Sequence, residues 1–104
     1  MQRGEIWWAN LPPPRGIRPV VLISREKAIE RRNSVTVAML TSTIRQLPVE
    51  VRIGPEDGLP RECVINTDVL MTLEKHELKE RITRLSELKM VLLNKALRFA
   101  LALN

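Results

Sequence analysis

Arg18 stands at the mouth of an apolar run, Val20-Val21-Leu22-Ile23, and a second apolar run, Val35 to Leu40, ends in three short hydroxyls, Thr41-Ser42-Thr43. Pro19 cannot donate to a sheet ladder, so it suits the first position of a strand. It also holds the residue before it, Arg18, in extended backbone. If the two runs are neighbouring strands, a guanidinium and a hydroxyl face one another at a sheet edge. That pair is suited to gripping a phosphodiester, because a guanidinium meets phosphate oxygens with a planar fork of donors.

Other chemistries find little support. The one histidine, His76, lies in the polar stretch Glu74-Lys75-His76-Glu77 with no serine or cysteine nucleophile nearby, so a Ser-His-Asp hydrolase is not indicated. No Cys, His or carboxylate spacing reads as a metal site, no glycine-rich phosphate loop is present, and the four glycines are scattered as turn residues. The single cysteine, Cys63, excludes an internal disulfide and sits in Glu62-Cys63-Val64-Ile65, which reads as a strand with a packing thiol. Arginine plus hydroxyl is poorly suited to acyl chemistry but can act on RNA, which carries its own nucleophile. A 2'-hydroxyl aligned with the leaving 5'-oxygen attacks the adjacent phosphorus, and the protein's largest task is to stabilise charge on the phosphoryl oxygens. Arg18 is assigned first to that charge, with proton donation to the leaving oxygen as a second role. No residue is assigned as general base, since an arginine pKa above about 12 makes it a poor one.

These residues must be positioned by a small scaffold. The chain has 104 residues, enough for one domain over residues 1–104 with one modest core. With 44% hydrophobic and 28% charged residues it reads as a soluble globular protein. The net charge of +5 and pI of about 10.1, most of it arginine, favour bidentate phosphate contacts. The N-terminus has an early acid and no long apolar stretch, so no signal peptide is read. The most apolar segment, Leu88 to Leu103, is interrupted by Lys89, Asn94, Lys95 and Arg98. No membrane span is expected, and the cytoplasm is the default compartment.

Residues 5 to 10 read as a first strand, in which Trp7 and Trp8 point to opposite faces. One tryptophan is expected to enter the core with Ile6 and the other to lie near the surface, where it can stack on a base. Leu11 to Gly16 is a stiff turn holding three prolines. After the strand that follows Arg18, the charged stretch Arg25 to Asn33 reads first as a solvated connection, with a short helical turn as the alternative. Pro48 to Ile53 alternates like a strand with one wet face, Gly54 to Pro60 is a turn, and Glu62 to Thr67 is another strand. Periodicity leaves Val69 to Leu73 undecided, and a short strand is expected around Arg81 to Arg84. Ser86 is a good N-cap for a final helix, with Glu87 in its first turn. Leu88, Val91, Leu92, Phe99 and Leu103 mark one face of that helix, and Leu93, Leu97, Ala100 and Leu101 another. So broad an apolar surface exceeds the needs of one small sheet and points to a dimer contact. The fold class expected is mainly β with helices: a small open barrel closed by the C-terminal helix.

The chain resembles the MazF/PemK family of mRNA interferase toxins from type II toxin-antitoxin pairs. The likeness is carried by Arg3-Gly4-Glu5-Ile6-Trp7, Arg18-Pro19-Val20-Val21, Leu40-Thr41-Ser42, Leu59-Pro60-Arg61-Glu62-Cys63-Val64 and Arg81-Ile82-Thr83-Arg84-Leu85, in that order over nearly the whole length. The resemblance implies an SH3-like, MazF/CcdB-like barrel that dimerises. It also implies sequence-specific cleavage of single-stranded RNA without metal or other cofactor, leaving a 2',3'-cyclic phosphate and a 5'-hydroxyl. Carried onto this sequence, the catalytic arginine falls on Arg18 and the catalytic threonine on Thr41, with Thr43 the second match. Arg15, Arg45 and Arg61 are expected to contact phosphates, Thr43 to touch the RNA, and Trp7 to be the RNA-facing tryptophan. The implied partners are RNA and an antitoxin whose acidic C-terminal segment folds on binding.

Two stretches depart from the family pattern. Leu11 to Ile17 is short and proline-rich where a longer loop of Gly, Ser, Glu and Gln is common, and Asp68-Val69 stands where an acid-Gln pair is common. Two rival readings share the fold class: a CcdB-like toxin that traps DNA gyrase without catalysis, and an RNA-binding barrel that does not cleave. The first is disfavoured by the ending Leu-Ala-Leu-Asn, with no aromatic after Phe99.

Overall fold

The apolar runs form the middle of a single sheet. The computed structural model describes residues 1–104. The chain runs β1 (Glu5–Leu11), β2 (Gly16–Leu22), α1 (Glu26–Arg31), β3 (Ser34–Thr41), β4 (Glu50–Ile53), β5 (Cys63–Glu74), β6 (Leu78–Arg84) and α2 (Glu87–Ala100). All strands pair antiparallel in the order β4-β5-β3-β2-β1-β6. The end strands β4 and β6 do not pair with each other. The sheet therefore curls into a half-barrel, the open form of the barrel expected.

Both faces of the sheet are covered, which is why its central strands read as continuous apolar runs. On one face Ile6, Val21, Ala38, Leu40, Ile53 and Ile65 pack with Leu93, Ala96 and Leu97 of α2. On the other, Val20, Leu22, Val35, Val37, Met39 and Leu73 pack with Ile29 of α1. The stretch Arg25 to Asn33 takes the alternative reading, a short helical turn, over the solvated connection: it folds as α1 over Glu26–Arg31 and buries Ile29. One apolar anchor among charged residues is too weak a period to announce a helix.

Val69 to Leu73 continues β5 as far as Glu74. The register against β3 breaks where Ala38 faces Leu70 and Met39 faces Asn66, so Thr67, Asp68 and Val69 form a bulge and alternation fails there. The buried Thr67 hydroxyl donates to the Val49 carbonyl at 2.6 Å, with the Ala96 carbonyl 3.4 Å away, tying the bulge to the β4 side and to α2. Strand β6 starts at Leu78, three residues before Arg81.

The final helix follows its expected cap, for Ser86 Oγ accepts from the Lys89 amide at 3.2 Å. Lys89 Nζ then reaches the Arg52 carbonyl at 2.6 Å and Asp57 Oδ2 at 3.3 Å, fixing the helix start against β4 and the turn before β5. Leu93 and Leu97 turn inward as one face. Leu88, Val91, Leu92, Phe99 and Leu103 remain exposed, and Leu101, grouped by sequence with Leu93 and Leu97, is exposed with them. No helix is long and apolar enough to cross a membrane.

Candidate functional site

Strands β2 and β3 pair over only three couples, Val20↔Met39, Val21↔Ala38 and Leu22↔Val37. Beyond them β2 stays with β1 down to Gly16, while β3 stays with β5 up to Thr41. The two strands therefore diverge like the prongs of a fork. A cavity of about 670 Å³ lies between Ile17, Arg18 and Pro19 on one prong and Met39, Leu40 and Thr41 on the other. It draws on residues of both sheet parities because pairing has ended where it opens.

The cavity gathers most of the polar residues singled out from sequence. Arg15, Arg18, Arg45 and Arg61 all line it, as do Thr41, Ser42 and Thr43. Continuing the β2–β3 register by two residues sets Arg18 opposite Thr41. Residues so opposed project to the same side of a sheet. Arg18 Nε donates to the Arg15 carbonyl at 3.0 Å, which orients the guanidinium and leaves its two terminal nitrogens without a protein partner. Thr41 Oγ1 accepts from the Thr43 amide at 3.2 Å, so its own proton is free to be donated outward. None of the four arginines is in an ion pair. The only carboxylate on the cavity wall, Glu62, is paired with Arg52 at 3.2 Å. Four unpaired guanidiniums against one paired carboxylate make a site for a polyanion.

The other residues considered from the sequence separate clearly. Cys63 begins β5 half-buried on the cavity wall. Burial pushes its thiol up from the ordinary 9.0, with Glu62 and Asp57 adding to the rise, so it stays protonated and is no nucleophile. His76 is exposed in the turn before β6, beside Glu77 at 3.1 Å, and does not line the cavity. No group of three or more His, Cys, Asp or Glu side chains could hold a metal ion.

Trp7 is not on the cavity wall. It packs against the α1-side core, across the sheet from Ile6, and its indole N–H donates to Glu5 Oε1 at 3.0 Å. Trp8 lines the cavity instead. The register shifts between β1 and β6 skip Ile82 and Lys79 of β6 and leave β1 alternating, with Ile6 in the α2-side core and Trp7, Ala9 and Leu11 in the other. Because both faces of the sheet are covered, alternation alone does not say which indole meets the cavity. Asn66 and Ile17 also line the cavity and were not singled out. Their signals were an amide interrupting Val64-Ile65 and a large apolar residue just before Arg18.

Glu5 is buried and accepts from the Gln2 amide at 3.1 Å, the Trp7 indole at 3.0 Å and Arg81 Nε at 3.2 Å. Burial alone would raise its pKa, but the Trp7 and Gln2 hydrogen bonds, the N-terminal charge and the Arg81 contact outweigh it, so the carboxyl sits below its ordinary value. This cluster locks β1 to β6 from the face of the sheet opposite α2.

Residues 2–101 match the family described as PemK-like, MazF-like toxin of type II toxin-antitoxin system. A relative named probable endoribonuclease MazF2, from Mycobacterium tuberculosis, is 40% identical over 87 residues, covering 83% of each chain. Among solved structures, an endoribonuclease in complex with its cognate antitoxin from Mycobacterial species superposes with a TM-score of 0.89 at 29% identity, covering 100% of this chain and 97% of that one. The Mycobacterium tuberculosis toxin MazF-mt6 gives a TM-score of 0.88 at 30% identity, covering 96% and 98%.

Proposed function

The chain belongs to the PemK/MazF toxin family of type II toxin-antitoxin systems, and from that premise we propose that residues 1–104 are one toxin domain that cuts single-stranded RNA. The observation that carries the reading is the fork itself: where β2 and β3 part, Arg18 stands opposite Thr41 in a cavity ringed by unpaired guanidiniums. An RNA phosphate between the prongs meets Arg18 from one strand and the Thr41 hydroxyl from the other. The 2'-hydroxyl oxygen attacks phosphorus and gives its proton to solvent, the bond from phosphorus to the 5'-oxygen breaks as that oxygen takes up a proton, and the products are a 2',3'-cyclic phosphate and a 5'-hydroxyl. Negative charge grows on the non-bridging oxygens during the attack. Arg18, pre-oriented by the Arg15 carbonyl, and Thr41, with its proton free, are aimed to stabilise it. Arg18 is also the candidate proton donor to the leaving 5'-oxygen. Arg15, Arg45, Arg61 and Thr43 hold flanking phosphates and sugars. The chemistry needs no metal, since the guanidinium supplies the positive charge.

The same cationic cavity suits an antitoxin carrying an acidic, partly disordered C-terminal segment. The exposed leucines, Val91 and Phe99 of α2 are assigned to a homodimer contact, and the cytoplasm is the compartment where RNA substrate and antitoxin are met. The test is to incubate the purified protein with a long mixed-sequence transcript in EDTA and map new 5'-hydroxyl ends. Discrete ends that vanish with Arg18→Ala are expected, and an intact transcript would overturn the assignment.

A further inference from the structure

Trp8 is the one large apolar side chain of β1 that joins neither core: Ile6 belongs to the α2-side cluster, and Trp7 and Leu11 to the other. It is held nonetheless, because β1 is an interior strand and Trp8 lies between Pro19 of β2 and Glu80 of β6. Half-buried, it lines the cavity beside Pro19, Ile82 and Ile17, and Ile17 is 55% exposed. Its indole N–H has no protein partner, whereas that of Trp7 is engaged by Glu5. One wall of an otherwise cationic cavity is thus a fixed aromatic plane with apolar neighbours.

We propose that Trp8 is the stacking platform for a nucleobase flanking the phosphate held at Arg18; the inference rests on the reading of this cavity as an RNA site. Pro19, which faces Trp8 across the ladder, is the next residue after Arg18. The two residues are therefore rooted one strand spacing, about 4.8 Å, and one residue apart. They leave the β1–β2 ribbon on opposite faces and both line the cavity, which opens at the edge of β2 that β3 has left, so the stacked base belongs to a nucleotide next to the scissile bond. A base has an apolar face and polar edges. The ring covers the face, and the free indole N–H offers one donor to an edge carbonyl or a sugar oxygen. The guanidiniums hold any phosphate alike, so this wall is where the cavity senses the base.

The chain has two tryptophans and no tyrosine, so Trp7→Phe leaves Trp8 as the only strong fluorophore. That variant is titrated with a randomised single-stranded 2'-O-methyl RNA of about ten nucleotides, which lacks the attacking hydroxyl. Saturable quenching of Trp8 is expected. In the natural chain Trp8→Leu should weaken binding roughly 5- to 100-fold and Trp8→Phe far less. The salt dependence of binding should be unchanged by Trp8→Leu, since no phosphate contact is lost, but reduced by Arg61→Ala. Binding without a change in Trp8 emission, or Trp8→Leu binding as tightly as the natural chain, overturns the platform and leaves the RNA reading standing. Failure of the natural chain to bind this RNA removes both. The emission measurement is made on native Trp8 and does not depend on how well the leucine variant folds.

Discussion

Arg18 and Thr41 sit at facing register positions of β2 and β3, two residues beyond Val20 and Met39, the last couple that the two strands pair. Close enough to share a cavity and far enough from the ladder to leave room between them, they border the gap from opposite sides. The loss of β2–β3 hydrogen bonds at this end of the sheet is what makes the site.

Both side chains are outside the cores, so removing them should spare the fold. Arg18→Ala and Thr41→Ala are each expected to lower the initial rate of single-stranded RNA cleavage about 100- to 1000-fold, the scale of one lost transition-state donor. Unfolding free energy should change by no more than about 0.5 kcal/mol. Arg18→Lys keeps the charge but loses the planar fork, and should recover only part of the rate. Gel-resolved cleavage and urea denaturation of the same preparations check both halves.

Glu5 should give the protein an acid-sensitive joint. Its carboxyl is lowered in the folded state, so the folded protein takes up that proton less readily than the unfolded chain. The stabilisation is present above the ordinary carboxylate value of 4.5 and is lost as pH falls through the lower folded value. Glu5→Gln should therefore be less stable than the natural chain at neutral pH, by about 1–3 kcal/mol for the disrupted buried hydrogen bonds. The gap should narrow as the solution is acidified, as read by urea midpoints across that range.

Gly58 closes the turn before β5 with φ of +91°, and a β-carbon there would lie 2.6 Å from Thr83 Oγ1 of β6. Gly58→Ala adds a steric clash to left-handed strain and should cost about 2–3 kcal/mol. Gly16 also has positive φ, +69°, but a β-carbon there meets nothing within 4 Å. Gly16→Ala should cost only about 1 kcal/mol. Thermal melts of the two variants should separate accordingly.

Cys63 should be a slow thiol. Burial, then Glu62 and Asp57, hold its thiolate off until above the ordinary 9.0. Alkylation by iodoacetamide at neutral pH should run slower in the folded protein than in the urea-unfolded chain. The midpoint of its pH-rate profile should lie above 9.0. Equal rates, folded and unfolded, would contradict the buried setting.

Much of the molecule was legible in one dimension. The central strands announced themselves because both faces are covered, leaving unbroken apolar runs at Val20 to Leu22 and Val35 to Leu40, and Ser86 marked the helix start by its side-chain chemistry alone. Arg18 before Pro19, and hydroxyls at the end of β3, were enough to name two groups that line one cavity. Three features depended on contacts between distant segments. The bulge at Thr67 to Val69 is held by Val49 and Ala96, carbonyls remote in sequence, so β5 hid its second half behind a broken period. Helix α1 exists to lay Ile29 on a sheet face that no local pattern reveals. Which tryptophan faces the cavity was settled by what covers each side of β1: Trp7 joins Ala9 and Leu11 in the α1-side core, engaged by the Glu5 carboxylate, and Trp8 is left on the cavity wall. Sequence determines which side chains are available and how each short segment prefers to run. Where β2 parts from β3, and what is left facing the gap, is a balance of pairing on both sides of each strand, and only the assembled sheet decides it.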